Sequence, residues 1–193
     1  MPAYAYAILA AGWMAWLVPF FLRKRSPQTA EQRDYRARWG VIVQAIAYTL
    51  LWQNAFWARP LEVWRVPVSV LFFIIAALFS WGAVRALGRQ WRIDAGLNAD
   101  HELVQCGAYR VVRHPIYTSM LCLLLGTGFL VTPLWMLGIS TALLILGTEI
   151  RVRIEEGLLA SRFGEEFRDY QRRVGAYVPF LKYRRAAIVS TEA

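Results

Sequence analysis

Two short stretches of this chain put ionisable side chains where few are expected. Arg113-His114-Pro115 stands on the threshold of an apolar run, and Arg151-Val152-Arg153-Ile154-Glu155-Glu156 follows the far end of that run. Proline at the start of a helix leaves backbone N–H groups free ahead of it, which suits an anionic group. An adjacent arginine and histidine can add directed, charge-assisted donors to a carboxylate. The second stretch has two readings. Arg151/Glu155 and Arg153/Glu156 lie on adjoining surfaces of one helix and suit intrahelical ion pairs. Alternatively, a glutamate there binds the amine or ribose hydroxyls of a ligand while an arginine holds an acidic substrate. Arg110, with nothing specific beside it, reads as an arginine reaching for lipid phosphates.

The elements between and around these stretches decide whether they can cooperate. Residues 115–148 are uncharged for 34 positions. One straight helix of that length would be about 51 Å long, too long for a single crossing of a hydrocarbon core of about 30 Å. Thr132-Pro133 near the middle argues for two short helices joined by a tight turn. A hairpin returns its two ends to one membrane face, so two clusters far apart in sequence become neighbours in space.

Three further uncharged runs precede the hairpin: Ala3 to Leu22, Trp39 to Trp57 and Val66 to Val84. Each has the length of a membrane span. The expected architecture is therefore an all-α integral membrane protein. It has about five transmembrane helices, with the fourth and fifth forming a short hairpin and a cytoplasmic C-terminal helix following. Residues 1–86 would hold the three N-terminal spans, and residues 87–193 the cytoplasmic loop, hairpin and C-terminal helix. Gln44, Tyr48, Gln53 and Asn54 are candidates for interhelical hydrogen bonds. The start of the chain reads as a retained helix, not a cleaved signal peptide.

Composition agrees with a membrane protein. The chain is 58% hydrophobic and only 18% charged, well below the charge of a soluble domain. A net charge of +9 could suggest nucleic acid, but the basic residues flank apolar runs instead of forming a stripe, which excludes that class. Placing the 23–38 loop, the 85–114 loop and the tail on one side gathers twenty of the 22 Lys and Arg there. The positive-inside rule then puts the N-terminus outside and the C-terminus in the cytoplasm. Two cysteines and two histidines without ligand spacing give no metal site and no disulfide framework. The lipid bilayer is the one partner that composition implies, and the oligomeric state is not legible.

The series "HELVQCGAYRVVRHPIY", the apolar hairpin, "RVRIEE" and "FGEEFRDY…VPF" resembles the isoprenylcysteine carboxyl methyltransferase family, in particular its small prokaryotic-type members. The resemblance covers about Leu87 to Phe180. It implies S-adenosylmethionine as cofactor, held where the hairpin meets the C-terminal helix. Carried over, His101, Glu102, Leu103, Val104, Tyr109, Arg113, His114, Pro115, Ile116, Tyr117 and Glu155 would contact the cofactor. Arg151 would orient the substrate carboxylate, with Arg153 and Glu156 as alternatives within the segment. The implied reaction methylates the carboxylate of a lipophilic, prenylcysteine-like acceptor, in the plasma or inner membrane with the site facing the cytoplasm. Related membrane methyltransferases act on phospholipid amines or small thiols, and an acceptor of that kind needs a base. Two readings from other classes also stand: an NADPH-dependent sterol-reductase-like enzyme, and a non-enzymatic membrane protein whose basic face recruits anionic lipid.

Overall fold

A computed structural model describes residues 1–22, 32–53, 60–88, 96–97 and 102–179. The chain is helical: α1 is Ala3–Leu22, α2 Ala37–Thr49, α3 Arg65–Leu87, α4 Pro115–Val131 and α5 Leu134–Arg173. One-turn 3-10 segments follow α2 (Leu50–Trp52) and precede α4 (Gly107–Arg110). Three helices among the described residues, α1, α3 and α5, are long and apolar enough to cross a membrane, and α4 is a shorter apolar helix of 17 residues. The expected second span is described as a 13-residue helix with its 3-10 extension. Residues 54–57 of that span, Asn54 among them, lie outside the described residues.

The hairpin forms where the sequence placed it. α4 ends at Val131, Thr132 and Pro133 adopt extended backbone, and α5 starts at Leu134. The carbonyl of Thr132 accepts a bond from Arg65 Nη1 (3.0 Å), and its hydroxyl donates to the carbonyl of Leu51 (3.1 Å). These bonds tie the turn to the 3-10 segment after α2 and to the first residue of α3. The C-terminal helix begins later than the change of composition suggests: the fifth span runs on as one helix through the charged segment until Gly164 breaks it with φ 51°, and a short second helix follows to Arg173. The helix carries no turn signal before that glycine, and only its first part, to Thr148, is uncharged. A hairpin arm of some 24 Å thus becomes a rod that carries residues 149–163 beyond the apolar layer.

α4 packs chiefly on α3, and α5 packs chiefly on α2. Lipid tails are as apolar as leucine, so close packing and interhelical hydrogen bonds, not the hydrophobic effect, hold such helices together. Phe73 of α3 fits against Gly12 and Gly126, where a Cβ would come within 2.4 and 3.0 Å of its ring. Trp13 and Trp16 donate to Thr127 and Ser119 (3.1 and 2.9 Å), and Ser69 donates to the carbonyl of Gly126 (2.6 Å). Gln44 bonds Thr148 (2.9 Å) and Tyr48 bonds the carbonyl of Met120 (2.6 Å), as expected of interhelical groups. Gln53 instead bonds back to Thr49 in its own segment. Among the described residues the sheet content is one two-residue antiparallel ladder, Gln32–Arg33 against Gly96–Leu97.

Candidate active site

Both ends of the hairpin come together beyond the apolar layer. His114 is the residue before α4, with Pro115 at the first helical position. Glu155 and Glu156 lie two turns past Thr148 on α5. Glu156 faces inward and is 4% exposed. Its Oε1 accepts from Arg113 Nε (3.0 Å) and Nη2 (2.7 Å) and sits 3.2 Å from His114 Nε2, while Gln171 Nε2 donates to Oε2 (2.8 Å). Glu155 is less buried, at 23% side-chain exposure. Its Oε1 accepts from the Tyr117 hydroxyl and lies 3.5 Å from Arg151 Nη2. Its Oε2 has His114 Nδ1 at 3.6 Å, an ion-pair distance beyond hydrogen-bond reach. The Arg151 guanidinium lies over the Tyr117 ring, 5.2 Å from its centroid.

The charges set one another. Burial on its own disfavours the protonated imidazole of His114, but the two nearby carboxylates, Glu156 within hydrogen-bond distance and Glu155 at ion-pair distance, outweigh it and raise the pKa above 6.5. Burial likewise disfavours the glutamate anions, yet the bonds and charge of His114, with Arg151 or Arg113, hold both below 4.5, Glu156 down to about 2. The cluster thus favours the protonated imidazole and the two ionised carboxylates together.

A C-terminal segment completes the wall. Arg113 and His114 donate their backbone N–H groups to Gly175 (2.9 Å) and Ala176 (2.8 Å), and Thr118 Oγ1 donates to the carbonyl of Tyr177 (2.7 Å). Val112 and Gly175 form a parallel bridge. Arg113 Nη1 donates to the carbonyls of Gln171 (3.3 Å) and Val174. Tyr177 donates to Glu149 Oε1 (3.0 Å). The N–H groups of Tyr117 and Thr118 both go to the carbonyl of His114 (3.0 and 3.2 Å). Several of the backbone donors expected to be free for an anion are thus taken within the chain.

Of the residues singled out in the sequence, Arg113, His114, Tyr117, Arg151, Glu155 and Glu156 converge. Pro115 is buried and Ile116 half-buried beside them. Tyr109 is buried, and its carbonyl accepts from the Tyr170 hydroxyl (2.6 Å). Leu103 and Val104 are half-buried in the stretch before the 3-10 turn, Glu102 is exposed, and His101 lies outside the described residues. Arg153 points away: it is 66% exposed and pairs with Glu149 at 3.4 Å, not with Glu156 as the sequence suggested. Glu156, one turn on, turns inward to Arg113 and His114 instead. Gln171 and the 174–177 segment were missed. Their contributions are mostly backbone carbonyls, which leave no mark in sequence.

Among the described residues no group of three His, Cys, Asp or Glu could hold a metal ion. Residues 69–161 match the profile of the isoprenylcysteine carboxyl methyltransferase family. The chain is 30% identical over 122 residues to a protein-S-isoprenylcysteine O-methyltransferase of Tribolium castaneum, covering 62% of this chain and 43% of that one. It is 27% identical over 148 residues to a cobalt-zinc-cadmium resistance protein of Cupriavidus metallidurans, covering 76% and 64%. It is 28% identical over 176 residues to a methanethiol S-methyltransferase of Pseudomonas deceptionensis, covering 81% and 62%. The chain thus spans less than two thirds of the length of each.

Proposed function

Through residues 69–161 this chain belongs to the isoprenylcysteine carboxyl methyltransferase family, and on that premise we propose that it is an S-adenosylmethionine-dependent membrane methyltransferase acting on the carboxylate of a lipophilic, prenylcysteine-like acceptor. The proposed setting is multi-pass in a plasma or inner membrane, N-terminus outside, with the site on the cytoplasmic face. The observation that carries the acceptor class is the arrangement of the cluster, in which both glutamates face cationic partners. Those partners hold both carboxylates below the usual range and so weaken them as bases. Neither glutamate is poised to take a proton near pH 7. A carboxylate acceptor needs no such help, because it is already ionised.

The donor set fits the cofactor. Glu155 is the partly exposed carboxylate, with Oε2 beyond hydrogen-bond reach of His114, and it suits an amine or ribose hydroxyl. His114, Tyr117, Pro115 and Ile116 form the adjoining wall, with Tyr109 and the 101–104 stretch as its proposed continuation. When bound, S-adenosylmethionine supplies an electrophilic methyl group. Arg151 holds and turns the acceptor carboxylate, and the chain's contribution is orientation and exclusion of water. A pairing that is too tight would dull the nucleophile, and the half-engaged guanidinium over Tyr117 avoids it. Arg113, committed to Glu156 and two carbonyls, holds the wall in shape.

A second reading has its own support: the methanethiol S-methyltransferase aligns over 81% of this chain. A thiol or amine must lose a proton in the reaction, which the paired glutamates serve poorly. An acceptor screen with methyl-labelled cofactor separates the readings. The panel is a prenylcysteine, a fatty acid, phosphatidylethanolamine and methanethiol. Label on the prenylcysteine ester is expected, and label on the thiol alone would replace the carboxylate reading.

A further inference from the structure

We propose that Gly40, on α2 and far from the matched motifs, is a positioning residue that aims Arg151 at the acceptor. The inference rests on the reading of Arg151 given above. Gly40 is buried against α5, where the two helices approach at Gly147. A Cβ on Gly147 would stand 2.7 Å from the carbonyl oxygen of Gly40, and a Cβ on Gly40 would stand 2.6 Å from that of Gly147. Arg151 lies one helical turn beyond Gly147 on the same face. Its aliphatic stem occupies the space a side chain at position 40 would need: Cγ is 2.5 Å, and Cδ 3.4 Å, from where that Cβ would be. Contacts under 3 Å are not tolerated, so any side chain at 40 must displace the stem or part the helices.

The path of the stem fixes where the guanidinium ends. From the seat on Gly40 it reaches over the Tyr117 ring and comes within 3.5 Å of Glu155. Arginine carries several rotatable bonds, and a seat that removes the alternatives preorganises the donor for a carboxylate. Gly40 therefore acts on acceptor binding without touching acceptor or cofactor. It also gives α2, which lies outside the family match, a part in the site.

The test compares Gly40→Ala, Arg151→Ala, their double variant and Gln44→Leu in detergent. It measures acceptor KM with a prenylcysteine and S-adenosylhomocysteine affinity by calorimetry. Gln44→Leu loosens the same crossing at the Thr148 bond without meeting Arg151. The loss of an oriented, charge-assisted contact predicts that Gly40→Ala raises KM by about tenfold or more. Cofactor affinity should stay within about twofold, a smaller change than one lost contact gives. The double variant should be no worse than Arg151→Ala, and Gln44→Leu should keep the parent KM. Additive KM effects, or an equal KM rise in Gln44→Leu, would overturn the proposal. If Gly40→Ala does not fold, a folded double variant supports it, because the approach to the Gly147 carbonyl is the same in both and only the stem differs; two unfolded variants would assign Gly40 to the helix crossing alone and overturn it. If Arg151→Ala itself leaves acceptor KM unchanged, the reading of Arg151 fails and this inference with it. If only Gly40→Ala leaves KM unchanged, this inference fails alone.

Discussion

Replacing Glu156 by Gln should destabilise the protein far more than a change of one atom suggests. The substitution keeps shape and volume but removes a buried charge that faces Arg113 and His114, each with 8% of its side chain exposed. His114 can release its proton and so relieve its share. The guanidinium cannot be deprotonated, and it is left with neutral acceptors: the carbonyls of Gln171 and Val174 and the amide oxygen of the new side chain. Gln171, which donates to Oε2, can turn its amide to accept from the new one, so that contact is recoverable. The cost is then that of one buried cation left without its counter-ion, about 3–5 kcal/mol. For a chain of this size each kcal/mol moves the midpoint by about 2–4 °C, giving a fall of about 6–20 °C. The assay is thermal unfolding followed by tryptophan fluorescence in one detergent at one scan rate, since such unfolding is often irreversible. A double variant, Arg113→Met with Glu156→Met, should regain most of the loss, because an apolar pair of similar size removes both charges together. A midpoint for Glu156→Gln within about 2 °C of the parent, less than 1 kcal/mol by the same conversion, would refute the buried ion pair. So would a double variant at the sum of the two single losses.

Three further outcomes follow from the same geometry. The raised pKa of His114 contributes stability that is complete below about pH 6.5 and is lost as pH rises through the higher folded value. The lowered glutamates contribute stability that is complete above pH 4.5 and is lost only as pH falls toward 2. Midpoints measured against pH should therefore fall as pH rises above about 6.5, and His114→Gln should remove that fall; an unchanged alkaline limb would count against the imidazolium. Arg65→Ala should lower the midpoint by about 3–12 °C, since it frees the Thr132 carbonyl at the hairpin turn; no change would mean the turn is held by other contacts. Arg153→Ala should leave midpoint and acceptor KM within error, because an exposed i,i+4 pair is worth under about 1 kcal/mol; a rise in KM would move the acceptor role from Arg151 to Arg153.

The apolar runs, the hairpin and the meeting of its two ends were all legible in the sequence. They rest on hydropathy, on one Pro and on a length that one crossing cannot absorb. The extension of the fifth span through the charged segment to Phe163 was less legible, because a change from apolar to charged residues looks like a boundary although helix propensity continues across it. Within the site, charge type marked Arg113, His114, Arg151 and the glutamates. Spacing alone could not tell that Glu156 faces Arg113 while Arg153 faces Glu149, because i+3 and i+4 neighbours are both within reach on one helix. The backbone bonds from Arg113 and His114 to Gly175 and Ala176 depend on no side chain, so no residue type announces them. Gly40 reads as an ordinary small residue in a span until the stem of Arg151 is seen above it.

The central claim is that the cluster at the base of the hairpin binds S-adenosylmethionine, and calorimetry tests it most directly. Purified protein in detergent, shown folded by its thermal transition, is titrated with S-adenosylhomocysteine, with NADPH as the comparison. The account predicts one site of micromolar affinity for S-adenosylhomocysteine, weakened by Glu155→Gln and by His114→Ala, and no heat with NADPH. Folded protein that gives no heat with S-adenosylhomocysteine, or that binds it equally well in both variants, would contradict it.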